Sequence, residues 1–168
     1  MVIWRVASRR HRNTLVGEGG ASLVEFAVIL PLLILLMFGV MEASWAFYKQ
    51  NDIRFGAREG ARIAAVEDTW TVAQIGAEVC ARMDSHHAAQ PPTVTLELLS
   101  ADGNQGGLAG IEVASDLKTI TGLLDGVFGG VTLESAIEFR IEQPTSGTAQ
   151  WWQDIVDAGA TTGTYTCS

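Results

Sequence analysis

From Phe26 to Met41 the chain runs sixteen residues without a charge, and after Glu42 the apolar character resumes as ASWAFY. Ala21–Tyr48 is twenty-eight residues carrying two carboxylates, Glu25 and Glu42, near the ends of the apolar run. A membrane-spanning helix needs about 20 apolar residues, so 21–48 is expected to form one transmembrane helix. Glu42 lies seventeen positions past Glu25, about 26 Å along a helix, which sets the two near opposite faces of a hydrocarbon layer about 30 Å thick. Pro31 cannot donate to the carbonyl of Ala27, so a kink is expected there. Trp45, Phe47 and Tyr48 fit an aromatic belt at the outer membrane–water boundary.

Beyond Tyr48 the periodicity stays helical, and 49–90 reads as a helical region outside the membrane. Gly56, Gly60 and Ala64 recur every four residues. Small residues at that spacing let another element approach closely, either the chain's own folded part or a partner helix. Arg54, Arg58 and Arg62 line one edge at the same spacing, where like charges repel. Glu59 can reach Arg62; a solvated face, or pairing with an acidic surface, accounts for the others. A second helix is expected over Thr69–Ser85, with Val72, Ile75, Val79 and Met83 on its apolar face and Cys80 at the margin.

Pro91-Pro92 closes the helical region, and 91–143 is expected to be β-rich. TVTLELL (93–99), GIEVASDL (110–117) and VTLESAIEFRI (131–141) read as three strands, and KTITGLLDGVF (118–128) as a short helix or a loop over the sheet. The tail, 144–168, is rich in Thr and Gly, with a short docked helix expected at WWQDIVDAG. Adjacent tryptophans on an extended chain point to different sides, so at most one of Trp151 and Trp152 is expected to pack, the other being open to a partner or sugar. The fold class is α+β: a long N-terminal transmembrane helix extending outward, then a small antiparallel β-sheet domain.

Charge orients the chain. Residues 1–20 form a basic leader with Arg5, Arg9, Arg10 and Arg12, which the positive-inside rule holds in the cytoplasm. Residues 91–168 carry two basic and ten acidic side chains. That part should lie outside, and it lacks the basic footprint that nucleic acid requires. Cys80 and Cys167 both fall on the outer side, where an oxidising compartment would let them pair. The candidate disulfide would close a loop of nearly ninety residues, worth roughly 3–5 kcal/mol. No phosphate loop, nucleophile elbow or zinc-protease motif is present. Cys80, Asp84, His86 and His87 match no strong zinc spacing. No enzyme activity, cofactor or metal is expected.

GGASLVEF, preceding the long apolar run, admits three readings: a secretory signal peptide, a plain anchor, or a processed leader. The apolar segment is too long for the first and lacks a small-residue cleavage site. The second does not account for the residues around Glu25. The third rests on Gly20, with Glu25 fifth and Phe26 sixth beyond it, which resembles the prepilin-peptidase signal of type IVb (Flp-type) pilins. Gly20–Val66, with Val24-Glu25-Phe26, Leu30-Pro31-Leu32-Leu33, Phe38-Gly39 and Ala57-Arg58-Glu59-Gly60-Ala61-Arg62, resembles the TadE-like minor pseudopilins of tight-adherence systems. Major pilins of this type usually carry tyrosine where this chain has Phe26. The resemblance implies a pilin-like fold, cleavage between Gly20 and Ala21, and an assembly role for Glu25 and Phe26, the Glu25 carboxylate pairing with the new amine of a neighbour. It further implies as partners the prepilin peptidase, other pilins or pseudopilins, the inner-membrane assembly platform and the lipid bilayer. The location implied is the bacterial inner membrane, single-pass, with the C-terminal domain periplasmic. An uncleaved anchor presenting an outer binding domain is the other function class.

Overall fold

The computed structural model describes residues 18–84, 91–101, 103–122, 125–142 and 147–168. The basic arginines of the leader and His86-His87 lie outside the described residues. The chain divides into two compact units, one ending at Phe38 and the other Gly39–Ser168.

Helix α1, Glu18–Val66, contributes to both units and is helical through Pro31. In the first unit its apolar side chains, among them Leu23, Phe26, Ile29, Leu32 and Leu36, are exposed. The helix is long and apolar enough to cross a membrane.

In the second unit, α1 is followed by α2 (Val72–Arg82), β1 (Thr93–Leu98), β2 (Leu108–Asp116), α3 (Asp125–Phe128), β3 (Thr132–Arg140), α4 (Gln150–Asp157) and β4 (Thr162–Thr166). Helix α2 starts at a capping box. The Thr71 hydroxyl accepts from Gln74 N at 3.2 Å while Gln74 Oε1 accepts from Thr71 N at 2.9 Å, so two orphan donors of the first turn are satisfied. Its expected apolar face is the buried one: Ile75, Val79, Cys80 and Met83 join the core.

The sheet is fully antiparallel in the order β3-β2-β1-β4. Alternation sets its two faces. Val94 and Leu96 of β1 sit opposite Val113 and Ile111 of β2 on the buried face. The three expected strands are present, and β4 is a fourth that the Thr/Gly-rich tail had not suggested. It pairs with β1 along Thr93↔Thr166 to Glu97↔Thr162. Thr and Tyr in TGTYT favour a strand, and pairing with β1 gives it a place in the sheet.

Helices α1, α2 and α4 supply the rest of one contiguous core. Both tryptophans of α4 are buried, Trp151 at 0% and Trp152 at 3% exposure, which corrects the expectation that at most one would pack. On a helix adjacent side chains stand only about 100° apart, so both rings reach one core. They meet edge-on with centroids 5.7 Å apart, and the Trp151 indole donates to the Ala64 carbonyl at 3.1 Å.

Candidate functional site

The Gly20–Phe26 segment sits in the exposed apolar part of α1. Gly20, Ala21 and Glu25 are exposed, and Phe26 is 58% exposed. Glu25 has no hydrogen-bond or ion-pair partner among the described residues. A carboxylate on an otherwise apolar helix is costly toward a bilayer's centre and cheap at its edge. This one stands immediately before the uncharged run that begins at Phe26, where it can meet a cation supplied by another group.

Glu42, the second carboxylate, is in a different state. It is 4% exposed and accepts three hydrogen bonds from the β2–β3 connection: Ile120 N at 3.0 Å, Thr121 N at 2.8 Å and Thr121 Oγ1 at 2.6 Å. Two successive backbone N–H groups aimed at one carboxylate form an anion-binding nest, and the hydroxyl completes it. One turn further the Trp45 indole donates to Lys118 O at 3.2 Å, and Gln50 Nε2 donates to Glu134 O at 3.2 Å. Ala43 and Ala46 face Leu117 and Thr119, so small side chains on α1 admit the loop. Trp45 stacks on Tyr48 with centroids 5.5 Å apart, and Phe47 points outward.

Lys49 is 2% exposed. Burial pushes its ammonium below the ordinary lysine range, and the charges of Asp52 and Asp116 pull it back up. Sequence periodicity carried no sign of this burial, because a lysine on a helix normally faces water.

Gly56, Gly60 and Ala64 lie on the buried side of α1. A Cβ placed at Gly56 would collide with the Met83 side chain, and one at Gly60 would lie 2.5 Å from Ile111 Cδ1 and 2.9 Å from Val79 Cγ2. Ala64 is almost fully buried. The small-residue seam therefore packs against α2 and the sheet of the same unit, the absent side chains leaving room for those of Met83, Val79 and Ile111. Of the arginine stripe, Arg62 bonds Glu59 at 2.7 Å, and Arg82 of α2 meets the same carboxylate and Glu78, the latter at 2.8 Å. Arg54 and Arg58 are exposed.

Cys80 and Cys167 form a disulfide, with Cα atoms 5.6 Å apart across 87 positions of sequence. It fastens the end of β4 to α2, next to the Cys167 N to Pro92 O bond of 3.0 Å that prolongs the sheet. On the outward face of the sheet, Glu97, Glu112 and Glu138 flank a groove of about 170 Å³ floored by Gly110.

A long apolar helix near the N-terminus, able by length and composition to cross a membrane, followed by a small antiparallel four-stranded sheet, gives an α+β layout. The family model for TadE-like proteins matches residues 20–62, so this stretch of α1 is TadE-like, consistent with a TadE-like protein of the tight-adherence system. The match begins at Gly20, takes in Gly56 and Gly60 of the small-residue seam, and stops short of Ala64 and of the sheet. No curated protein and no solved structure matches the chain.

Proposed function

We propose that the chain is a pseudopilin processed by the prepilin peptidase and supporting the biogenesis of a Flp, type IVb pilus-like assembly for adherence or secretion. The observation that carries this reading is the family match beginning at Gly20, the residue after which the leader would be cut. Removal of the leader gives Ala21 a cationic α-amine in the polar edge of the bilayer. Glu25, exposed and one turn further on, is its carboxylate complement, on the same chain or on a neighbouring subunit during assembly. The acidic 91–168 part lies in the periplasm with the basic leader cytoplasmic, as the charge asymmetry favours. The disulfide fits an oxidising compartment.

The alternative is an uncleaved anchor presenting a binding domain. The groove beside Glu97, Glu112 and Glu138 favours it, while the tryptophans offered for that role are buried. The mature N-terminus decides between them, read by mass spectrometry from membranes with and without the prepilin peptidase. A chain starting at Ala21 only when the peptidase is present is the expected result. An intact Met1 in both strains would leave the anchor.

A further inference from the structure

Arg54 and Arg58 stand exposed on α1, one turn apart, and neither has an ion-pair or hydrogen-bond partner among the described residues. Like charges at that spacing repel, so the pair gains from an acidic surface. The sheet of the same copy cannot supply it. Helix α1 packs on the sheet's buried face, with Gly60 against Ile111, and Arg58 stands about 160° round the helix from Gly60. Phe55, three positions before Arg58, is 51% exposed.

The outward face of the sheet is the complement. Glu97, Glu112, Glu134 and Glu138 are exposed there, with Arg140 at one end. Register sets them in rows across the strands: Glu97 and Glu138 flank Gly110, Glu112 lies between Thr95 and Ala136 two positions on, and Glu134 follows beside Ala114. Rows two residues apart are separated by about 7 Å along an antiparallel strand, and arginines four residues apart by about 6 Å along a helix. A helix laid along the strands therefore sets successive arginines over successive acidic rows. In the first row the strands bearing Glu97 and Glu138 are about 10 Å apart, and Gly110 leaves the groove of about 170 Å³ between them. Leu99 Cδ1 lies 3.5 Å from where a Gly110 Cβ would stand, and Leu99 is exposed, an apolar neighbour for Phe55.

We propose that this groove and the acidic rows around it receive the Arg54–Arg58 face of α1 from a second copy of the chain. The occupant is a second copy because the two surfaces match in charge and in spacing, and lie on opposite sides of one compact unit, where neither can meet the other within a copy. Such an interface is heterologous: each copy offers its helix on one side and its sheet on the other, so a pair leaves one of each surface open and further copies can add. A single exposed ion pair contributes little; here several act together beside the apolar contact of Phe55 with Leu99. The inference is independent of leader cleavage and holds for a processed or an uncleaved chain.

Charge reversal on the two surfaces tests this. Arg54→Glu with Arg58→Glu gives one full-length chain acidic on its helix face, and Glu97→Arg with Glu138→Arg gives another basic on its sheet face. All four positions are exposed, so both chains should keep the cooperative unfolding of wild type. Sedimentation velocity in detergent at low ionic strength, over a concentration series, reads association. Every chain keeps the apolar helix, so association through it is common to all and cancels. The expected result is that each reversed chain associates several-fold more weakly than wild type, and that an equimolar mixture of the two returns to wild-type behaviour. Wild type should itself weaken several-fold at about 1 M salt, where the Debye length is about 3 Å. Should a reversed chain not fold, Arg58→Gln and Glu138→Gln neutralise one charge on each surface, and each should weaken association. Wild type that associates no more strongly than the altered chains overturns the proposal. A mixture of reversed chains that stays as weak as its components also overturns it, because the two faces then do not meet each other.

Discussion

The two halves of α1 use opposite kinds of residue for opposite neighbours. From Leu23 to Met41 large aliphatic side chains are exposed, and Gly39 has no neighbour within 4 Å of where a Cβ would stand. From Glu42 to Val66 the buried positions hold Ile53, Gly56, Ala57, Gly60, Ala61 and Ala64, with two buried charged groups, Glu42 and Lys49. The first half is long and apolar enough to cross a membrane, and hydrocarbon chains would conform to any apolar surface, so a span of that kind needs bulk and no shape. A sheet and two helices do not conform, so the second half needs small residues where their side chains crowd it.

The largest effect is expected where the packed half is held together covalently. Cys167→Ser frees the end of β4 from α2, and a loop of 87 positions predicts a loss of about 4–5 kcal/mol. Urea unfolding of the detergent-solubilised full chain measures it. The apolar half, followed by protection from proteolysis in vesicles, should be unaffected. A loss of that protection would mean that the two halves are not separable.

Next in size is a pair of glycines that differ only in their neighbours. Gly60→Val places methyl groups against Ile111 and Val79 and should destabilise the sheet unit by about 1–3 kcal/mol. Gly39→Ala meets open space and should increase helix stability by about 1 kcal/mol. Effects of the same sign at both positions would remove the contrast.

Much of this was legible in the sequence, for reasons that are themselves local. The apolar run, the small-residue spacing, the α2 face and the alternation of β1, β2 and β3 are all periodicities. What escaped was set by distant residues. TGTYT became a strand because β1 offers it an edge and Cys167 anchors it. The Glu42 nest is built largely from backbone N–H groups nearly eighty positions downstream, and backbone donors leave no trace in a residue pattern. The tryptophan pair was misjudged because the extended-chain geometry was applied to residues that α4 carries on a helix. For the segment proposed to be cleaved, Gly20, Ala21, Glu25 and Phe26, the motif is visible in the sequence, and these residues are exposed.

The smallest effect belongs to Lys49, and it sharpens the comparison by asking what a charge costs in the packed half. Its folded-state pKa is depressed because burial penalises the ammonium more than Asp52 and Asp116 reward it. For a base depressed in this way, the folded chain binds fewer protons than the unfolded chain between the folded pKa and the ordinary lysine value near 10.4. Stability from this group therefore rises with pH through that alkaline window, and the cost is fully present below it. Lys49→Met keeps the volume and removes the charge. At neutral pH it should leave the sheet unit within about 1 kcal/mol of wild type or somewhat more stable, since replacing a buried charge by an apolar isostere is commonly neutral or favourable. The advantage over wild type should then shrink as pH climbs toward 10. Unfolding of both chains across that range, compared as a difference so that other titrating groups cancel, reads it directly. A difference that grows with pH instead would mean that the attraction of Asp52 and Asp116 outweighs desolvation, making Lys49 a stabilising ion-pair member rather than a tolerated burial.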